Sequence, residues 1–319
     1  MKMNAKTKFI LTITLIASTL LAVSPVLRYG QRRFYSHTYE RMTEMAYGGS
    51  KFDLVYLGSS RVHSGIDPSL VDQAVGTHSF NMGFDGATIY EFKLVLEAFL
   101  EHHPCPKLVV LNLDLGAFDL SRKLFDYIQY FQFLGNAHIK AALIDLELLP
   151  RYATWIPFLG FSFSDDFTRS NVLRGLMGKS EVMPGEKSAQ GYLSPAADVT
   201  FQEHLPDIED QPVDPQGPVI LDTLIKRVKT EGKKIVLVFS PVYLHDGKAL
   251  YRNSNTIMAT MAQVAAQNDI PLVRYDQELL SREKSNFRNV SHLSYQGVQV
   301  FSKLLAHDVR GWLNVTGKP

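Results

Sequence analysis

A serine and a histidine, far apart in the chain, have the residue types and settings that acyl chemistry requires. Ser60 lies in the run Leu57-Gly-Ser-Ser-Arg61, directly after the apolar stretch Asp53–Leu57. His292 lies in Asn289-Val-Ser-His-Leu-Ser-Tyr-Gln-Gly297, just before a helical pattern. A serine hydroxyl is a poor nucleophile until a neighbouring base removes its proton. The two residues therefore predict nucleophilic catalysis, provided that the fold brings them together.

Strands and helices alternate along the chain, which predicts a parallel sheet covered by helices on both faces. Apolar runs predict five strands, at 53–57, 78–82, 107–114, 234–240 and 271–275. Helical patterns follow at 88–102, 219–231, 255–268 and 294–312, and Asp67-Pro68 opens one more helix. The fold class is therefore α/β. Because ligands bind at the carboxyl edge of such a sheet, Ser60 is expected at a binding edge.

The stretch between residues 114 and 234 is too long for one crossover. Residues 118–177, which are rich in aromatic and aliphatic side chains, predict a helical insertion. Residues 181–218 carry many Pro, Gly, Asp and Glu residues and predict a mobile loop. His102 and His103, adjacent at a helix end, are expected at the surface, since neighbours in sequence do not converge on one metal.

The amino terminus contains an uncharged run of about 19 residues, Phe9–Leu27, which is long enough to cross a bilayer as a helix. An uncleaved signal anchor is the favoured interpretation, ahead of a cleaved signal peptide and a buried core helix. Basic residues flank both ends, so charge bias leaves the orientation open. A lysine-rich amino terminus inside the cell, with the bulk exported, is the simpler topology. The predicted organisation is an anchor at 1–30, a helix or stalk at 31–52 and a domain at 53–319 with an insertion at about 117–218.

Composition limits the remaining possibilities. The chain has 319 residues, of which 45% are hydrophobic and 20% charged, with a net charge of +1. Such a chain can fold into one sizeable domain or two small ones, and its charge gives no reason to expect nucleic acid as a partner. The single cysteine, Cys105, excludes an intrachain disulfide and disfavours a thiolate metal site. We expect no metal and no organic cofactor.

The serine and histidine segments resemble two blocks of the SGNH (GDSL-type) hydrolase and acyltransferase superfamily, in its membrane-anchored envelope form with a Gly-Ser-Ser opening. In that pattern the nucleophile takes the third place, which nominates Ser60 over Ser59. The resemblance covers about residues 53–116 and 234–312. It implies a flavodoxin-like three-layer sandwich with a five-stranded parallel sheet.

Two further blocks of the family concern the oxyanion hole. Asn81-Met-Gly-Phe-Asp-Gly86 resembles the second block, so that Gly86 would donate its backbone N–H and Asn81 would hold the turn, with Gly83 as the competing donor. The third block should supply an asparagine side chain. Gly116 stands at about that position instead, and Asp114 either lines the site or caps the next helix.

The fourth block of the family pairs an aspartate with the histidine, whereas this chain has Asn289 three residues before His292. An asparagine can orient the imidazole but cannot stabilise the imidazolium by charge. Arg61 and His63 are expected either to bind an anionic group, to lie at the surface or to cap a helix.

The resemblance implies an extracytoplasmic acyl esterase or O-acyltransferase, held in the bacterial cell membrane by a single span. It would act on acylated envelope polysaccharides or small acyl esters, alone or with envelope assembly proteins. The alternative is a catalytically silent domain that serves in a polysaccharide assembly or export complex, which Asn289 and the missing asparagine favour.

Overall fold

The computed structural model describes residues 4–121, 124–125, 127–146, 166–182, 188–196, 201–202, 209–243 and 250–314. The chain opens with a long helix, α1 (Ala5–Phe34), which begins at Asn4, whose side chain accepts a hydrogen bond from the Thr7 N–H. Of the described residues, only α1 forms a helix long and apolar enough to span a membrane. Its most apolar window has a mean hydropathy of 2.2 and is 6% buried. The exposed apolar surface is what a lipid-facing helix requires.

A second helix, α2 (Ser36–Tyr47), follows α1 directly and packs on the domain. Met42, Met45 and Ala46 are fully buried in the same cluster as the first strands. His37 and Arg41 on this helix are also buried. The helical alternative for this segment is thus the one that the structure adopts, and α2 contributes to the core.

Nine strands are described, and five of them form the main sheet. In chain order they are β1 (Leu54–Gly58), β2 (Ser79–Gly83), β3 (Leu108–Leu113), β4 (Ser188–Ala189), β5 (Tyr192–Leu193), β6 (Lys234–Phe239), β7 (Leu272–Arg274), β8 (Phe287–Asn289) and β9 (His292–Leu293). The main sheet is parallel, in the order β2-β1-β3-β6-β7. Counted within the sheet this is the flavodoxin-like order 2-1-3-4-5, as predicted.

Eight more helices complete the described α-helices. They are α3 (Ser60–His63), α4 (Pro68–Val75), α5 (Ile89–Leu100), α6 (Ala137–Asp145), α7 (Asp166–Leu176), α8 (Gly217–Thr230), α9 (Ser254–Gln267) and α10 (Tyr295–Trp312). Helix α4 shows how the sequence fixes such bounds. Asp67 caps its first turn, Pro68 occupies its first helical position and Gly76 ends it with a φ of 79°.

The two faces of the sheet pack against different helices, because successive strand residues point to opposite sides. Val55 and Leu57 of β1 join one core cluster with α5, α8 and α9. Leu54 and Tyr56 join the other cluster with α4 and α10. The result is the predicted three-layer sandwich.

Residues 118–177 contain helical structure where they are described. They include a 3₁₀ helix at Tyr127–Phe133 as well as α6 and α7, while residues 147–165 lie outside the described part. Helix α7 lies against α1 at a pair of glycines. A Cβ on Gly175 would stand 1.9 Å from the Gly30 carbonyl oxygen, so only glycine permits the two backbones to meet there.

The prediction of a mobile loop at 181–218 is wrong for residues 188–193, which form the β4–β5 hairpin. The carbonyl of Gln190 accepts a hydrogen bond of 2.8 Å from the Asn81 N–H on the edge of the main sheet. Gly191, with a φ of 81°, allows this contact, since a Cβ there would lie 2.1 Å from the Asn81 carbonyl oxygen. The hairpin is held by tertiary contacts, which the composition of the segment does not reveal.

The prediction that His102 and His103 lie at the surface is also wrong for His103. Its ring is buried, stacks on Phe99 with 4.1 Å between centroids and faces the carbonyl oxygens of Ser50 and Glu44 at 2.8 and 2.7 Å. This histidine ties α5 to the segment that enters β1.

Candidate active site

A sharp strand-to-helix turn presents Ser60 at the carboxyl edge of the sheet. Strand β1 ends at Gly58, where a Cβ would stand 2.5 Å from the Val62 side chain and 3.0 Å from the Asn112 carbonyl oxygen. Only glycine leaves room here for the chain to turn so close to α3 and β3. Ser59 caps α3 and is buried, and its hydroxyl donates to the Asp114 carboxylate at 2.5 Å. Ser60, the first residue of α3, is only half-buried.

His292 reaches Ser60 from the β8–β9 hairpin. Its Nε2 lies 2.8 Å from the Ser60 Oγ, across 232 positions of sequence. The cleft around this contact is small and is lined also by Arg61, Ser240 and Leu293. The fold thus brings together the two residues that the sequence singles out, at hydrogen-bonding distance.

Asn289 sets the tautomer of His292. The Asn289 Oδ1 accepts hydrogen bonds from the backbone N–H groups of Ser291 and His292, at 3.0 and 2.9 Å, and lies 3.0 Å from the His292 Nδ1. An oxygen acceptor requires the proton on Nδ1, so Nε2 presents its lone pair to the Ser60 hydroxyl. The Ser291 hydroxyl, also 3.0 Å from Nδ1, donates to Asn289 and fits the same tautomer. This is the form that a general base needs.

The surroundings keep His292 neutral. Burial, followed by the positive charges of Arg61 and Arg288, lowers the pKa of His292 to about 4, although Asp85 and Asp114 act in the opposite sense. The imidazole is therefore unprotonated at neutral pH and ready to accept a proton. Its low pKa also makes it a weaker base than an unperturbed histidine.

Two backbone N–H groups are available for an oxyanion, those of Ser60 and Gly86. Neither has an acceptor among the described residues. Gly86 adopts a φ of 65°, which favours glycine, and Asn81 holds the turn before it. The Asn81 amide donates to the carbonyls of Val62 and Ile66 at 2.7 and 2.9 Å and accepts from the Gly83 N–H at 2.9 Å.

Gly83 does not fit the role of competing oxyanion donor, because its N–H is already bound to Asn81. Its glycine character has a different cause. A Cβ on Gly83 would lie 2.2 Å from the His63 backbone nitrogen, so the end of β2 meets α3 too closely for any other residue.

The loop after β3 adds no amide side chain to the site. Asn112 lies within the strand, and its Oδ1 accepts from the N–H and hydroxyl of Ser240. Asp114 accepts from Ser59 and from the Gly116 N–H, at 2.9 Å for the latter, so it caps the turn. The carboxylate of Asp276 binds Arg274. Neither of these carboxylates is the hydrogen-bonding partner of His292.

A second histidine network lies behind residues 81–86, the segment with the candidate donor Gly86, which we call the oxyanion turn. The sequence analysis did not predict most of this network. The His63 Nδ1 lies 2.9 Å from the Asp85 Oδ1, and the His63 Nε2 lies 3.2 Å from the Nε2 of His37 on α2. The His37 Nδ1 lies 2.5 Å from the Ser188 hydroxyl. The expectation of a surface or anion-binding role for His63 is therefore wrong, since its ring is buried and engaged at both nitrogens.

The network is satisfied with both imidazoles neutral. If His63 donates from Nδ1 to Asp85, its Nε2 accepts from His37, and the His37 Nδ1 then accepts from Ser188. Burial and the charge of Arg41 lower the pKa of His37 to about 3 and hold the pKa of His63 below its usual range. Burial opposes ionisation of Asp85, yet His63 and Arg41 lower its pKa to about 2.

Arg41 completes this network from α2. Its guanidinium donates to the Gly83 carbonyl and lies 4.2 Å from the Phe84 ring centroid. The only sequence signal for these partners was Asp85 between two glycines of the oxyanion turn. His37 and Arg41 come from a segment whose docking required the structure.

Comparisons with known proteins find similar solved structures but no family. No family model and no curated protein matches the chain. It is similar to a lipase/acylhydrolase from Enterococcus faecalis, with 15% identity and a TM-score of 0.40 over 83% of this chain and 98% of that one. It is also similar to an α/β hydrolase enzyme from the metagenome of Lake Arreo, Spain, with 13% identity and a TM-score of 0.43 over 86% of this chain and 100% of that one. An acetylxylan esterase from Geobacillus stearothermophilus is 13% identical, with a TM-score of 0.40 over 82% and 95%.

The sheet order defines an α/β fold with the flavodoxin-like arrangement, in which Ser60 follows the first strand and His292 precedes the last helix. In the described residues no group of three or more His, Cys, Asp or Glu side chains is placed to hold a metal ion.

Proposed function

We propose that this protein is a membrane-anchored acyl esterase or O-acyltransferase that uses Ser60 as its nucleophile. The observation that carries the proposal is the 2.8 Å contact between the Ser60 Oγ and the His292 Nε2. Asn289 supports it by holding the imidazole in the tautomer that accepts the serine proton.

The reaction proceeds through an acyl-enzyme. The Ser60 Oγ attacks the ester carbonyl while His292 takes its proton, and the tetrahedral oxyanion binds the N–H groups of Ser60 and Gly86. The C–O bond of the ester then breaks, and His292 gives the proton to the leaving alcohol. Water or the hydroxyl of an acceptor attacks the acyl-Ser60 in a second round of the same proton transfers. Hydrolysis and transfer thus differ only in the second nucleophile.

The proposed setting is the outer face of the bacterial cell membrane, with acylated envelope or exopolysaccharide as the substrate. The apolar surface of α1 supports a single span, and the lysines before it favour an amino terminus left inside. Full-length protein should stay with membranes after an alkaline wash, and protease added to spheroplasts should cut the domain. Recovery of a mature protein that begins near residue 25 would contradict the anchor.

A catalytically silent scaffold is the second candidate, because Asn289 replaces a carboxylate and the third block lacks its asparagine. Acetate release from an O-acetylated polysaccharide, measured with wild type and Ser60→Ala, separates the two. Turnover that is lost in Ser60→Ala supports the enzyme. A folded wild type without turnover, together with envelope function in cells that survives Ser60→Ala, would establish the scaffold.

A further inference from the structure

A basic pocket lies at the end of α1, remote in sequence from the proposed catalytic residues. It has a volume of about 440 Å³ and is lined by Tyr29, Arg32, Arg33, Ser36, Gly178, Lys179 and Ser180. The first four residues belong to α1 and the start of α2, and the others follow α7. The close glycine contact between α1 and α7 brings these two segments together.

The cations of the pocket have no acidic partner in the part of the chain that the structure describes. Among the described residues, no carboxylate forms an ion pair with Arg32, Arg33 or Lys179. Glu181, the acidic residue next along the chain, is engaged elsewhere, since its two carboxylate oxygens accept from the N–H and the hydroxyl of Thr38 at 2.7 and 3.0 Å. Three positive charges therefore converge on the pocket without a counter-ion from these segments.

Part of the pocket is held in place before any ligand arrives. The Arg32 Nε donates to the Gln132 side chain at 2.9 Å, and its guanidinium lies 4.6 Å from the Tyr39 ring centroid. The two terminal amino groups of Arg32 stay available, and such a fixed planar guanidinium suits phosphate. The hydroxyls of Ser36 and Ser180 lie 3.1 Å apart and add neutral hydrogen-bonding groups.

The pocket lies at the outer boundary of the headgroup region of a bilayer, within reach of its phosphates for long side chains. The apolar run ends at Leu27, and a rise of 1.5 Å per residue puts Arg32 and Arg33 roughly 8–9 Å further along the helix axis. The polar headgroup region adds roughly 5–8 Å to each side of the hydrocarbon core. Tyr29, exposed at the start of this layer, is an aromatic residue of the kind found at membrane interfaces.

We infer that this pocket binds the phosphate of a phospholipid headgroup, with Arg33 and Lys179 as the principal contacts and Arg32 as the pre-positioned one. The bound lipid would fix the height and tilt of the domain over the membrane. The inference rests on the membrane anchoring in the proposed function but not on catalysis.

The test uses the full chain in a non-ionic detergent, titrated with dioctanoyl phosphatidylglycerol. The double variant Arg33→Gln/Lys179→Gln should bind this lipid at least about tenfold more weakly, since two charge-assisted contacts are lost. The matched control is Arg28→Gln, which removes a charge from the same helix five residues before Arg33 but outside the pocket, and should change the affinity less than about threefold. Circular dichroism checks that all variants are folded.

Three further results would overturn the inference. Equal losses from Arg28→Gln and the double variant would mean diffuse attraction to charge. Equal binding of dioctanoylglycerol, which lacks the phosphate, would mean that only the acyl chains are recognised. Equal binding of glycerol phosphate would mean that a soluble phosphate is the ligand. Sedimentation with phosphatidylglycerol vesicles separates the two proposals, since failure of the anchor leaves the chain in the supernatant, whereas failure of the pocket leaves it in the pellet.

Discussion

Two histidines lie close to Ser60 in the chain or in space, and the one that faces the serine is not the one that hydrogen-bonds to a carboxylate. His63 lies three residues after Ser60 and hydrogen-bonds to a carboxylate, Asp85, at 2.9 Å. His292 comes from the far end of the chain, and its Nδ1 faces the amide oxygen of Asn289 and the hydroxyl of Ser291, each at 3.0 Å. Yet the Nε2 of His292 faces Ser60, whereas the Nε2 of His63 faces His37.

A histidine can act as the base only if its ring lies within hydrogen-bonding distance of the Ser60 hydroxyl. The group that hydrogen-bonds to the other ring nitrogen then sets its tautomer and its basicity. The histidine with the carboxylate is enclosed between α2 and the oxyanion turn and has no path to the serine hydroxyl. The carboxylate there is itself exposed and holds the buried His63 ring in place. The amide at the candidate catalytic histidine fixes the tautomer but adds no charge, which gives a site with the right geometry and reduced electrostatic support.

The largest expected difference is between substitutions of the two histidines. His292→Gln should lower kcat/KM for an aryl acetate by about 10²–10⁴-fold, because the serine loses its base. His63→Gln, the matched control, should lower the melting temperature while the rate per folded molecule falls by less than about tenfold. Comparable losses of rate in the two variants would show that both histidines take part in turnover.

Asn289→Asp should raise the rate at neutral pH. A carboxylate at this position would stabilise the imidazolium that forms as Ser60 loses its proton, and the gain should be at least about tenfold. The same substitution should move the acid limb of the kcat/KM profile upward from about 4, because a nearby negative charge raises the pKa of His292. An unchanged limb would mean that another acid already supports this histidine.

Acid should lower the stability of the folded protein. The pKa values of His37 and His292 lie near 3 and 4 in the folded protein and near 6.5 when unfolded, so the unfolded chain binds more protons between these values. The free energy of unfolding should have its highest value above about pH 6.5 and should fall as the pH decreases towards 4. Urea unfolding between pH 8 and 5 measures this loss. A profile that stays flat over this range would contradict the burial of neutral histidines.

The smallest effect is expected at Ser59. Ser59→Ala removes the cap of α3 and the partner of Asp114, and should cost about 1 kcal/mol of stability. The rate per folded molecule should stay within a fewfold of wild type, because the Ser59 hydroxyl donates to Asp114 and the Ser60 hydroxyl is the one that faces His292. Urea unfolding and single-substrate kinetics on the same preparation check both statements, and a loss of rate equal to that of Ser60→Ala would reject Ser60 as the sole nucleophile.

Most of the fold could be predicted from the sequence because its strands and helices carry strong local signals. The buried central strand β3 reads as a continuous apolar run, and the Asp67-Pro68 pair marks the start of α4. The β4–β5 hairpin could not be predicted, because two-residue strands have no measurable period. It is specified by the contact of Gly191 with the sheet edge.

The site divides in the same way. The separate motifs of Ser60 and His292 point to their meeting at one sheet edge, and the distance between them fits that prediction. The tautomer of His292 could not be read from sequence, since it depends on which backbone N–H groups orient Asn289. The network around His63 could not be predicted either, because its partner His37 lies on α2 and no local sequence pattern predicts how this helix packs on the domain.

Reaction with a fluorophosphonate probe at neutral pH tests the central claim most directly, because the probe forms a covalent bond only with an activated serine. Peptide mass spectrometry should find the label on Ser60 in wild type and in Ser59→Ala. Labelling should be absent in Ser60→Ala and strongly slowed in His292→Gln. Failure of folded wild type to react, or a label on Ser188 beside His37, would contradict the assignment of Ser60 and His292 as the nucleophile and its base.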